Sequence, residues 1–403
     1  MQFSIDIFTT LALASAALVL GRALTQRVAF LAKYSIPDAV VGGMLFAVII
    51  TVARGLGDVK VEFDPALLSP LNVMFFTTVG LSADARSLAK GGRLLLVFFL
   101  IVVGGLFMQN AIGVGLAKGF DLHPANGLLA GSITLSGGHG TAAAWGQKFI
   151  EERNLQGAIE LGIAAATYGL VAGGLLGGPF AAWLMRRYGV HGPGESPPAA
   201  AAVAVPEVPQ VAPLTAFELI ETLLFVFVSM AVGFALYRWL GQGAFTLPTF
   251  IWALLVGVVL RNLLSLTGLY RVNDQALELI GTLALSLFLA MIIMTLKLWE
   301  LVDLAGPMLV ILLTQTVALL AYATFVTFRF MGRNYDAVLL ATGHLGFGMG
   351  STATAMVNVQ AVADRHGHSP LAFLLIPIMG AFLIDIANAL TIQGFLSLPW
   401  FGW

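Results

Sequence analysis

Apolar residues run along this chain in long blocks, not in the one-sided stripes of a surface helix. A membrane-spanning helix needs about 20 predominantly apolar residues. Windows of that kind fall near 5–21, 37–53, 70–83, 94–117, 156–185, 217–240, 247–265, 275–296, 305–328 and 370–398. Two further apolar stretches, about 125–149 and 336–362, are broken by glycine. In the first, Gly131 to Trp145 reads GSITLSGGHGTAAAW, and no charged residue occurs from Leu128 to Ala144. Hydropathy therefore allows it inside a bilayer, yet Gly137, Gly138 and Gly140 each cost a helix about 1 kcal/mol relative to Ala. Unpaired backbone facing lipid costs several kcal/mol per group, so unwound backbone at that depth must be buried in protein or line a wet cavity. The pattern predicts a re-entrant hairpin with its broken tip at a polar site. The second stretch, ATGHLGFGMGSTATA from Ala341 to Ala355, predicts another.

The two halves answer each other at an offset of about 210 residues. Ile36-Pro37 matches Leu247-Pro248, Leu81 and Leu88 match Met291 and Leu298, and the Gly138–Ala143 run matches Gly348–Ala353. Gly189 to Pro213, with six prolines, reads as a flexible linker. The chain thus divides into an N-terminal repeat (1–188), a linker (189–213) and a C-terminal repeat (214–403). Five spans plus one hairpin per half is an odd number of crossings, which inverts the second half relative to the first. The expected fold is all-α and polytopic: two inverted repeats of five transmembrane helices, each with one re-entrant hairpin.

Composition agrees. Of 403 residues, 59% are hydrophobic and 10% charged, against roughly 25% charged in soluble domains; mean hydropathy is +0.92. No cysteine is present, which removes disulfides, thiolate metal sites and cysteine nucleophiles. A net charge of −1 gives no basic surface for nucleic acid. With the turn after the first span placed in the cytoplasm, thirteen Lys and Arg fall on that side and seven on the other, as the positive-inside rule requires. Both termini then face the periplasm and the linker the cytoplasm. The N-terminal MQFSIDIFTTLALASAALVLG reads as a retained helix, because its positive charges follow the apolar run and Asp6 precedes it.

Hydroxyl-rich broken tips can hold a carboxylate on free N–H groups or a cation such as Na⁺ on freed carbonyls and hydroxyls. Candidate substrate-binding residues are Ser136, Gly137, Gly138, His139, Gly140, Thr141, Gly350, Ser351, Thr352, Asp385 and Asn388. Candidate Na⁺ ligands are Ser136, Thr141, Thr352, Thr354, Glu160 and Asp385. His139 and His344 lie near but not at equivalent positions, since the 210 offset pairs His139 with Met349; a histidine here suits proton shuttling, hydrogen bonding to cargo or capping of a turn. Asp385 stands inside the last span at an insertion cost of around 2.5–3.5 kcal/mol. It has no Lys or Arg within a turn, so its expected counter-charge is an ammonium group or Na⁺. Asn388 and Thr391 extend the same edge. Gly157, Glu160, Ala164 and Thr167 form a small-and-polar stripe in the fifth span. Gly169, Gly173 and Gly177 read as a helix-packing seam rather than a site. Gln109, Asn110 and Gln315 are weaker candidates to line the cavity, and Thr77 and Thr78 weaker still. No phosphate-binding loop, dinucleotide fingerprint or transition-metal site is present, and no nucleophile–base pair is established.

GSITLSGGHGTAAAW, GHLGFGMGSTATA, IPDAVVGG and FLIDIANAL closely resemble the bacterial sodium/glutamate symporters of the glutamate:Na⁺ symporter family, over the whole chain except the linker. The resemblance implies Na⁺-coupled uptake of L-glutamate across the inner membrane, no cofactor beyond Na⁺ as coupling ion, two inverted five-helix repeats and a homodimer. The family's second loop often carries proline where this chain has Ala353. A carrier of di- or tricarboxylates, driven by Na⁺ or H⁺, and a passive anion channel are the rival readings. The first would leave Asp385 without an ammonium partner; the second would show no concentrative uptake. An elevator-type symporter, not an enzyme, is the expected function.

Overall fold

The computed structural model describes residues 2–34, 36–57, 60–193, 214–240, 247–301 and 304–401. Of the 189–213 linker, residues 194–213 therefore lie outside the described residues. The first half runs through α1 (Ile7–Arg27), α2 (Asp38–Gly57), α3 (Leu68–Leu81), α4 (Ala85–Gly119), a broken pair α5 (Pro124–Leu128) and α6 (Gly138–Arg153), and α7 (Ala158–Tyr188). The second half repeats that order: α8 (Ala216–Leu240), α9 (Thr249–Thr267), α10 (Asp274–Met294), α11 (Ala305–Tyr322), a broken pair α12 (Tyr335–Met349) and α13 (Thr352–His366), then α14 (Pro370–Ile378) and α15 (Ile384–Leu396). Eight helices among the described residues are long and apolar enough to cross a bilayer. The protein is an almost wholly helical, multi-pass membrane protein.

Three departures from the hydropathy pattern are local. The window at 70–83 is shorter than a full span, and the 14-residue α3 it yields reaches only about 21 Å at 1.5 Å per residue, with Pro65 before it and Asp84 capping α4 by accepting from the Arg86 N–H. The last window is one helical rod interrupted by a π-helical turn at Met379–Leu383. The expected all-α content is also slightly too strict: Gln2–Ile5 and Lys60–Phe63 form a two-stranded parallel ribbon. Asp6 then starts α1 by accepting from the N–H groups of Phe8 and Thr9 at 2.9 and 3.2 Å, as an N-cap should.

Packing sorts the helices by position within each half. The first three of each, α1 to α3 and α8 to α10, contact one another extensively. The remainder, α4 to α7 with α11 to α15, form a second group around the two broken pairs. Contacts between the groups are sparse, chiefly α10 against α6, α7 against the Leu298–Leu301 turn that follows α10, and α3 against the Met379–Leu383 turn.

Close approach within the second group relies on glycine. Gly113 of α4 and Gly127 of α5 face each other so tightly that a Cβ on either would come within 2.2 Å of the other's carbonyl oxygen. Gly169, Gly173 and Gly177 of α7 line up against Met349 and Asn358. That is the packing seam expected from their four-residue spacing.

Candidate functional site

The first break begins earlier than the glycine cluster suggests. Gly131 already leaves helical backbone (φ −105°, ψ −135°). The backbone groups freed there find partners: Asn110 Oδ1 accepts from the Ser132 N–H at 3.0 Å, and Asn388 Nδ2 donates to the Ser132 carbonyl at 2.9 Å. A turn at Ser136-Gly137 follows, and Gly138 takes φ +69°, a conformation suited to glycine. His139 to Thr141 are thus the first turn of α6, not unwound chain.

The second break is sharper. Gly350 ends α12, and Ser351 caps α13 by accepting from the Thr354 N–H at 3.2 Å. Thr352 Oγ1 donates to the Gly380 carbonyl at 2.7 Å. Gly380 lies in the π-helical turn, a distortion frequent at functional sites.

The two tips meet. A Cβ built on Gly138 would stand 3.6 Å from the Gly350 carbonyl oxygen. Beside them opens a cavity of roughly 340 Å³, within the range of small-molecule sites. Ser136 to Thr141, Gly350 to Thr352 and Asp385 line it from the second helix group. Asp38, Phe75, Leu285 and Ser286 line it from the first. No Lys or Arg is among the lining residues. Among the described residues no hydrogen bond or ion pair is seen to Asp385, so its carboxylate faces the cavity without a protein partner.

Other candidates lie elsewhere. Asn388 is buried behind the first break and braces it. Replacing it with Leu removes that bond, leaving the Ser132 carbonyl to the Gly137 and Ser136 N–H groups at 3.1 and 3.3 Å, and should cost about 0.5–1.5 kcal/mol of stability. A thermal-unfolding series in detergent should show this loss, while the ratio of glutamate to aspartate uptake by the folded protein stays unchanged.

Glu160 Oε1 accepts from the Lys297 N–H at 2.7 Å, a bond between the two helix groups and away from the cavity. Thr354 is buried in the first turn of α13, its hydroxyl 3.2 Å from that of Ser351. Thr77 and Thr78 donate to carbonyls of their own helix. Gln109, Asn110 and Gln315 sit behind the tips rather than in the cavity.

The two histidines part company. His139 lines the cavity, and its Nε2 is 3.0 Å from Thr167 Oγ1. That hydroxyl already gives its proton to the Ile163 carbonyl, so His139 Nε2–H is the donor. His344 is enclosed by Phe98, Tyr322 and Phe347, with Nδ1 on Thr327 Oγ1 at 2.8 Å. It packs behind the second tip.

Asp38, Ser286 and Gly380 were not singled out by sequence. Asp38 follows Pro37 at the start of an apolar span, where an acid is ordinary helix-dipole chemistry. Only the fold shows that it borders the cavity, with Thr25 Oγ1 donating to it at 2.5 Å.

A family model described as sodium/glutamate symporter matches residues 3–368. The chain belongs to the sodium/glutamate symporter family. It is 48% identical over 404 residues to the sodium/glutamate symporter of Escherichia coli (strain K12), covering 99% of this chain and all of that relative. The same figures hold for the sodium/glutamate symporter of Shigella flexneri. The Haemophilus influenzae relative of that name is 42% identical over 393 residues, covering 96% of each chain. The match takes in both broken tips and α1 to α13, so the cavity described above is built almost entirely from residues within the symporter family's model. Family membership makes the protein a transporter rather than an enzyme.

Proposed function

We propose that this chain carries L-glutamate into the cell across the inner membrane together with Na⁺, by alternating access. The observation that carries this reading is the cavity where the two glycine-broken tips meet, lined by carboxylates and helix N-termini and by no cationic side chain. The N–H groups at the start of α6 take a carboxylate of the cargo, where the helix dipole favours negative charge. Asp385 takes the ammonium group. Ser136, Thr141 and the second tip around Gly350–Thr352 supply oxygen ligands to Na⁺. Glu160, Thr354 and Asn388, outside the cavity, support these groups. A cargo without an ammonium group would leave Asp385 facing a second anion, which favours an amino acid over a di- or tricarboxylate.

Charge explains why an ion must accompany the cargo. Glutamate brings a net −1 into a cavity that already holds Asp38 and Asp385. Inward movement of that charge opposes a negative-inside potential by about 2.3 kcal/mol per 100 mV. One Na⁺ would cancel this term and two would reverse it, so at least two Na⁺ accompany each glutamate. Uptake of radiolabelled glutamate into proteoliposomes should need an inward Na⁺ gradient and produce inward positive current. Na⁺-independent uptake would remove the symport reading, and electroneutral uptake would remove the stoichiometry.

The repeated element order supports inverted repeats, with α5–α6 and α12–α13 as re-entrant hairpins entering from opposite faces, both termini periplasmic and the linker cytoplasmic. The sparse contact between helix groups supports an elevator. The group carrying both tips would slide with its cargo against a scaffold of α1 to α3 and α8 to α10, through which two copies pair as a homodimer.

A further inference from the structure

Gln109 of α4 is buried, 1% exposed, and absent from the cavity wall. Its side chain nevertheless touches both tips. Ser136 Oγ donates to Gln109 Oε1 at 2.7 Å, and Gln109 Nε2 donates to the Gly348 carbonyl at 2.7 Å. Gly348 lies in the last turn of α12, whose carbonyls lack a partner within the helix. A single amide therefore satisfies a side-chain hydroxyl of the first tip and a backbone carbonyl that the second break leaves free. Its position is held in turn: Gln315 Nε2 of α11 donates to the Gln109 backbone carbonyl at 2.6 Å.

The amide is rigid and planar, with an acceptor at one end and a donor at the other. Movement of the second tip at Gly348 therefore shifts or rotates the acceptor that fixes the Ser136 hydroxyl. Because Ser136 gives its only proton to Gln109, its oxygen turns lone pairs toward the cavity, as a cation ligand must. We infer that Gln109 is a positioning residue that couples the tips, so that Na⁺ occupancy and glutamate occupancy strengthen each other. This rests on the tip-binding reading above. By linkage the coupling is reciprocal.

Two substitutions separate coupling from mere support. Gln109→Met has similar length and removes both hydrogen bonds without a charge. Gln109→Glu keeps an acceptor for Ser136 and replaces the donor to Gly348 with another acceptor. The readout is the ratio of glutamate KM at limiting and saturating Na⁺ in proteoliposomes, taken apart from kcat and from the amount and thermal stability of folded protein. In the unmodified protein the ratio should fall in the ordinary range of allosteric coupling, about 5–150-fold. Both variants should bring it toward one. Variants that fold and keep the full ratio, whatever happens to kcat, would overturn the proposal. If neither folds, Gln315→Met, which frees the Gln109 backbone carbonyl without touching either tip, should lower the same ratio, and an unchanged ratio there overturns it equally. An unmodified protein whose uptake ignores Na⁺ removes the symport reading itself. Asp385→Asn with unaltered glutamate affinity removes the tip-binding assignment, a result distinct from any Gln109 outcome.

Discussion

Asp385→Asn should weaken glutamate binding about a hundredfold or more while leaving the protein as stable as before, or more so. The expected loss follows from removing one partner of a desolvated charge pair, about 3–5 kcal/mol. Stability moves differently because Asp385 has no hydrogen-bonding or ionic partner among the described residues. Its charge stands at the cavity within the last helical rod, where a carboxylate is costly. Neutralising it relieves that cost when no cargo is bound. A binding residue is thus marked by affinity and stability changing in opposite senses. A structural aspartate would lower both. Calorimetric titration of purified protein with glutamate in Na⁺, together with thermal unfolding, reads the two quantities. Glutamate affinity within about threefold of the unmodified protein would remove Asp385 from the site. A dicarboxylate without an amino group should lose far less than glutamate, since it never made the contact.

The sequence made the spans legible because blocks of Leu, Val, Ile and Phe leave a chain no other environment than lipid or protein interior. It made the tips legible because glycine and hydroxyl residues inside such blocks violate the same rule. Other features leave no one-dimensional trace. The first unwound residue, Gly131, precedes the conspicuous glycines, since the break depends on Asn110 and Asn388 arriving from α4 and α15 to receive the Ser132 backbone. Asn388 could be placed on the Asp385 side of its helix by spacing, but spacing does not say which neighbour that side meets. The strands QFSI and KVEF are too short to show a period. The π-helical turn that presents the Gly380 carbonyl to Thr352 sits in an apolar run that predicts plain helix. Asp38 was hidden for a related reason: it is an unremarkable polar residue until a distant segment is brought against it. Gln109 stood out as a polar residue within its span, but nothing in the sequence shows that it bridges both tips.

Gly169→Ala should abolish uptake, although it adds one methyl group. A Cβ at Gly169 would fall 2.1 Å from the Met349 carbonyl oxygen and 3.1 Å from its carbon. The obstacle is backbone, so no rotamer change relieves it, and α7 must separate from the second tip by on the order of 1 Å in an interior packed to crystal-like density. Overpacking of this kind costs typically about 1–3 kcal/mol and occasionally more. The displaced atoms belong to the residue immediately before Gly350, so the strain is delivered to the cavity wall. The seam resists a compensating shift farther along. Asn358 Nδ2 donates to the Gly173 carbonyl at 2.9 Å, and a Cβ on Gly177 would strike the same asparagine at 2.2 Å. Gly115 of α4 supplies the contrast, since a Cβ there meets nothing within 4 Å. Gly115→Ala should be neutral or stabilising by up to about 1 kcal/mol through helix propensity alone. Uptake and unfolding temperature measured on the pair separate close backbone approach from a general preference for glycine in membrane helices. If Gly169→Ala were as active and as stable as Gly115→Ala, the second tip would not be seated against α7, and the cavity would lose the wall that gives it shape.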